Sequence, residues 1–196
     1  MEQTAAPTTV RRLDSAEAVE LAGLAGVFEE LQYVLRCCEH LVTALAAPDP
    51  DNALVEALWT GALLGYARCF SPRAAILTDA DLTELGLDGD VREFHAMVKK
   101  LRDHYASRHV NPREAFTIGA AQSNDGRPTG IAVVSTPRPT VDETTVRLLG
   151  RVAYALSGLL DKRMQECQQR VLKAAAEMSP AALSRLPLVH LSDTGP

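Results

Sequence analysis

The chain has 196 residues, of which 46% are apolar and 23% charged, with a formal net charge of −5. One globular domain with a real core fits that length, and the scarcity of aromatics beside plentiful alanine and leucine favours helix over sheet. The acidity argues against a general nucleic-acid coat protein but leaves room for a local anion site.

Residues 1–12 are rich in Thr, Ala and Pro and read as a disordered N-terminus. Asp14 or Ser15 can cap a first helix. From there Leu21, Leu24, Phe28, Leu31, Leu35, Cys38, Val42 and Leu45 keep a three-four spacing, loosened at Gly23 and Gly26. Pro48 and Pro50 end it, and Asp51 or Asn52 opens a second helix. Gly61, Ala62 and Gly65 give that helix a small-residue face that lets a neighbour come close, while Trp59 and Tyr66 read as core residues. Ser71-Pro72-Arg73 breaks it. Thr78 starts a short turn closed by Gly86 and Gly89.

Val91 to Pro112 is the most basic stretch. Phe94, Val98, Leu101 and Tyr105 form its predicted buried seam, and Lys99 is expected outside it. At roughly 100° per residue, Arg102 and His109 fall two turns apart on the shoulder of that seam, a geometry suited to a phosphate. His95 and His104 are expected at the solvated surface. Asn111-Pro112 should end the helix. Then the period changes. The β-branched runs Phe116 to Gln122 and Thr129 to Ser135, separated by Asn124-Asp125-Gly126, predict a β-hairpin within about 115–136. A lone hairpin is marginal in water, so it must lean on the bundle or on a partner.

A last helix from about Val141 to about Met178 would run roughly 60 Å at 1.5 Å per residue. Either it breaks near Ser157-Gly158 or its second half reaches a second subunit. Residues 180–196 read as a tail, leaving 13–179 as a single helical domain. The four cysteines, Cys37, Cys38, Cys69 and Cys167, show no metal-like spacing and read as buried free thiols in a reducing compartment. No signal peptide, membrane-spanning run, nucleotide loop or metal cluster is visible. The expectations are a cytoplasmic protein with no cofactor, no metal and no membrane association.

Arg102-Asp103-His104-Tyr105-Ala106-Ser107-Arg108-His109 remains. An arginine followed by a histidine near the end of a bundle helix, with the Val110-Asn111-Pro112 exit and the earlier Tyr66-Ala67-Arg68-Cys69-Phe70, resembles HEPN-like proteins of the prokaryotic abortive-infection or toxin type. The resemblance implies an up-and-down helical bundle, a homodimer and a metal-independent ribonuclease. Carried over, Arg102 would grip the scissile phosphate and His109 would act as general acid or base, while Asp103 orients the pair. Lys99, Arg108 and Asn111 would be binding residues. Arg108 stands where many such relatives place the histidine, and if it is the equivalent residue the catalytic base is lost. The expected fold is mostly α: an up-and-down bundle of four to five helices with an inserted β-hairpin. Two functions follow. One is an RNA-cleaving or RNA-binding defence protein, with an antitoxin or other protein partner. The other is a non-catalytic helical module for dimerisation or protein interaction.

Overall fold

The computed structural model describes residues 9–72, 75–105, 111–137 and 141–189. Five helices and one antiparallel hairpin follow in chain order: α1 (Ala16–Leu45), α2 (Asn52–Cys69), a 3-10 turn (Asp81–Glu84), α3 (Val91–Asp103), β1 (Glu114–Gln122), β2 (Pro128–Pro137), α4 (Glu143–Ala176) and α5 (Pro180–Ser184). This is the expected mostly helical bundle with an inserted hairpin.

The helices start where short polar side chains can take up unpaired backbone donors. The Ser15 hydroxyl accepts from the Ala18 amide at 3.2 Å. Asp51 accepts from the amides of Ala53 and Leu54. Asp90 accepts from Glu93 at 2.8 Å, and Asp142 from Thr145 at 2.9 Å. Gly23 and Gly26 do not interrupt α1.

Two compact units share the chain. Val27–Gly158 is continuous in sequence; the other is assembled from the two ends, before Val27 and after Gly158.

Within Val27–Gly158 the core is built from Leu31, Val34 and Leu41 of α1, Trp59, Leu63 and Tyr66 of α2, Val98 of α3, and Val146, Leu149 and Leu156 of α4, all fully buried. Trp59 and Tyr66 are core residues, as expected. The small-residue face of α2 meets α1. A methyl group on Gly65 would come within 3.0 Å of Val34 Cγ2, and one on Gly61 within 2.7 Å of the Tyr33 hydroxyl. Gln32 of α1 also donates to the Ser157 hydroxyl of α4 at 3.3 Å.

Several local expectations change. Of the α3 seam, Phe94 and Val98 are buried but Leu101 and Tyr105 only half-buried, and Lys99 is partly covered rather than exposed. His95 is not a surface residue: it is 3% exposed, because the aromatic end of α2 closes over it. The α-helical part of α3 runs to Asp103 and passes into a π-turn at His104 and Tyr105, and the expected end at Asn111-Pro112 depends on residues 106–110, which lie outside the described residues. Helix α4 does not break at Ser157-Gly158. It is continuous over 34 residues, about 51 Å.

In the end-built unit the far part of α4 meets the start of α1 at two points. Arg170 grips both carboxylate oxygens of Glu20 at 2.8 Å, and the Cys167 thiol donates to the Glu17 carbonyl at 3.3 Å. Past α5 the chain returns to the N-terminal segment. Arg11 pairs with Leu188, the Arg12 amide donates to Pro187 O, and the Val189 amide donates to Val10 O. Residues 9–12 and 185–189, read from sequence as a disordered end and a tail, thus hold each other by backbone hydrogen bonds.

The hairpin pairs Phe116 with Ser135, Ile118 with Val133 and Ala120 with Ile131, the register that the alternation demands. Its turn is closed by Ser123 and Arg127, with Gly126 at φ +82, a conformation glycine adopts without strain. No described helix is long and apolar enough to cross a membrane.

Candidate functional site

Helix α3 carries three of the predicted site residues, Lys99, Arg102 and Asp103, and the described Asn111 does not join them. Lys99 and Arg102 line a cleft of about 420 Å³ with Arg68, Phe70, Ser71 and Pro72 from the end of α2. Arg102 is half-buried. Its Nε lies 3.2 Å from an Asp103 carboxylate oxygen but off hydrogen-bonding geometry, leaving that N–H without a hydrogen-bond partner. Arg68 is ion-paired with Glu30 at 3.1 Å. Arg108 and His109 lie outside the described residues, and so does the pairing of Arg102 with His109.

Asn111 is elsewhere. Its carbonyl accepts from the Arg113 amide at 3.0 Å and its amide donates to Glu114 at 3.1 Å, so it shapes the turn into β1. It lines a different cavity, of about 400 Å³, with Trp59, Glu56, Tyr105 and Arg113.

One arrangement was missed from sequence. The buried His95 ring packs edge-on against Phe70 at 4.4 Å and against Tyr66 at 5.6 Å. Its Nδ1 lies 2.9 Å from the Tyr66 hydroxyl. Its Nε2 has Asp79 Oδ1 at 3.4 Å and no hydrogen bond of good geometry. The neighbours assign the ring proton. The Asp79 carboxylate facing Nε2 favours the tautomer with the N–H there, and the Tyr66 phenol, kept protonated by burial, is then placed to donate to Nδ1. Burial, reinforced by the charge of Lys99, holds the imidazole below its ordinary value, with Asp79 opposing the shift. Asp79 sits just before the 3-10 turn, held in place by buried Asp81, whose carboxylate accepts from both the amide and the hydroxyl of Thr78. The sequence did contain a signal: His95 follows Phe94 at the edge of the seam, on the side of α3 that Tyr66 and Phe70 could reach.

The second notable surface is the hairpin. Directly paired residues share a face, which places Phe116, Ile118, Ala120, Ile131, Val133 and Ser135 together. The four large apolar side chains among them are 54–74% exposed. Arg113 at the base is tied to Glu56 at 3.2 Å, and Glu114 to Ser135 at 3.1 Å.

All four cysteines are buried free thiols. Among the described residues no group of three His, Cys, Asp or Glu side chains could hold a metal. No family model matches the chain, and comparison with curated proteins and with solved structures gives no significant similarity to any.

Proposed function

We propose that this chain is a helical interaction module that acts as a homodimer, joined through the apolar face of its hairpin. The carrying observation is that face itself. Phe116, Ile118, Ile131 and Val133 are exposed side by side on a two-stranded sheet whose outer edges are unpaired among the described residues. A contiguous apolar patch of this kind marks an interaction site, and a two-stranded sheet needs such cover to be stable. A second copy suits it because the face bears no charge between Phe116 and Ser135, so it is complementary to itself about a two-fold axis. The far part of α4 is met from within the chain at Cys167 and Arg170, while Leu172 beside them stays exposed.

Light scattering at high micromolar concentration should give twice the chain mass. The double variant Ile118→Glu/Val133→Glu should run as a folded monomer. A wild-type monomer would defeat the proposal, and a monomer that captures a protein from its own host would point to a heterologous partner such as an antitoxin.

A second reading has its own support. The cleft that holds Arg68, Lys99 and the unbonded Nε–H of Arg102 offers three cations to a polyanion, in keeping with the HEPN-like expectation of RNA binding or cleavage. Cleavage of RNA that persists in EDTA and disappears in Arg102→Ala and His109→Ala would favour it. No cleavage by the wild type leaves the interaction module as the reading.

A further inference from the structure

On α3, Arg92, His95 and Lys99 are three and four residues apart and so share one stripe of the helix. They line a pocket of about 450 Å³ completed by Asp79, Leu82 and Ala96. Among the described residues neither Arg92 nor Lys99 makes an ion pair. His95 lies between them at the pocket's inner wall. Its side chain is only 4% exposed, with Nε2 unbonded and turned toward Asp79. A buried N–H without a partner costs stability of the order of a lost hydrogen bond. It is retained here at the back of a pocket with two free cations at the rim.

We propose that this pocket binds a phosphate monoester, with the Nε2–H of His95 and the side chains of Arg92 and Lys99 on its oxygens. The position of Asp79 carries the argument furthest. Its carboxylate oxygen stands 3.4 Å from His95 Nε2, in ion-pair range but not in hydrogen-bond geometry. An anionic oxygen is therefore already accommodated at this place. Asp79 is 69% exposed and comes from the turn before the 3-10 segment, so its side chain can swing into water. Asp79 is thus a weak internal competitor that an incoming phosphate displaces. With Asp79 gone, a dianion meets two positive charges and one buried donor, which match its charge. A diester, with one charge spread over two oxygens, uses this set less fully. The pocket opens to solvent, and Leu82 and Ala96 offer apolar wall to whatever carbon skeleton bears the phosphate. His95 and Asp79 make this pocket independent of whether the hairpin dimerises or the Arg102 cleft binds RNA.

The test follows the His95 imidazole resonances by NMR in the full chain, assigned through their loss in His95→Gln. Inorganic phosphate, phenyl phosphate and a dinucleoside monophosphate whose one phosphate is a diester are titrated at constant ionic strength. Inorganic phosphate and phenyl phosphate should give saturable shifts, and the diester should bind more weakly. Arg92→Ala and Lys99→Ala should each weaken phosphate on the order of threefold, as expected for a partly solvated charge contact. Asp79→Asn should strengthen it on the order of fivefold by removing a like charge a few ångströms away. These three side chains are at the pocket's rim, so the variants keep the core intact. Absence of a saturable shift, indifference to Arg92→Ala and Lys99→Ala, an Asp79→Asn protein that binds no better than the wild type, or equal binding of the diester would each overturn the assignment. Loss of RNA binding in Arg102→Ala with phosphate still bound at His95 would separate this site from the neighbouring cleft.

Discussion

The Tyr66 hydroxyl and His95 Nδ1, 2.9 Å apart, form a buried hydrogen bond that pins α3 to α2. On this side of the imidazole the neighbours are the aromatic rings of Tyr66 and Phe70, so the bond satisfies two buried polar atoms that neither helix could satisfy alone.

Tyr66→Phe keeps the ring and removes the donor. His95 Nδ1 is then left buried without a partner, and the loss should be about 1–3 kcal/mol, the cost of an unsatisfied buried group. Urea unfolding followed by circular dichroism measures it. A loss indistinguishable from zero would mean that water reaches Nδ1.

His95 should make stability depend on pH. Its folded-state value is depressed by burial first and by Lys99 second, while Asp79 opposes the shift and the Tyr66 phenol stays neutral. The unfolded chain then takes up a proton that the folded one refuses. The contribution is complete above the ordinary imidazole value of 6.5 and is lost as pH falls below it. Melting temperatures at pH 8, 7, 6 and 5 should therefore fall more steeply below pH 6.5 in the wild type than in His95→Gln. Parallel curves would assign the acid sensitivity to carboxylates.

Two glycines should respond in opposite directions. Gly65→Ala would press a methyl against Val34 at 3.0 Å and against Glu30 and Tyr33 at 3.2 Å, and should cost about 1–3 kcal/mol despite alanine's better helix propensity. Gly26→Ala meets nothing within 4 Å and should stabilise α1 by about 0.5–1 kcal/mol. Denaturation midpoints of the two variants settle the comparison.

Burial pushes the thiols of Cys38 and Cys69 up to about 12 and that of Cys37 upward as well. The thiolate is the reactive form. These three residues should remain unalkylated by iodoacetamide at pH 8 until urea is added, as read by peptide mass spectrometry. Rapid modification of Cys38 in the native protein would show that the bundle opens readily there.

Periodicity and punctuation revealed most of the fold. The caps at Ser15 and Asp51, the close approach at Gly61 and Gly65 and the register Ile118 to Val133 are all local chemistry, which a sequence displays directly. The burial of His95 was legible only as a place at the edge of the seam, because its cover, Phe70 and Tyr66, arrives from another helix. The contacts of the far part of α4 were not legible. Its length suggested a second subunit, yet Glu17 and Glu20 lie some 150 positions from their partners Cys167 and Arg170. No window of sequence shows such a pairing. The candidate site was legible only as a stripe: α3 was identified as the basic helix, but Lys99 and Arg102 face one cleft while Asn111 serves a turn.

The unit built from both ends has a consequence for synthesis. Everything needed for Val27–Gly158 has been translated once Gly158 is made, whereas the segment before Val27 must wait for residues up to Val189 before Val10, Arg11 and Arg12 find their backbone partners. At 5–20 residues per second that wait is on the order of 10–30 s. Until Cys167 and Arg170 are made, Glu17 and Glu20 in the first turns of α1 have no mate in the nascent chain, and a ribosome that stalls after Gly158 would leave that start of α1 open.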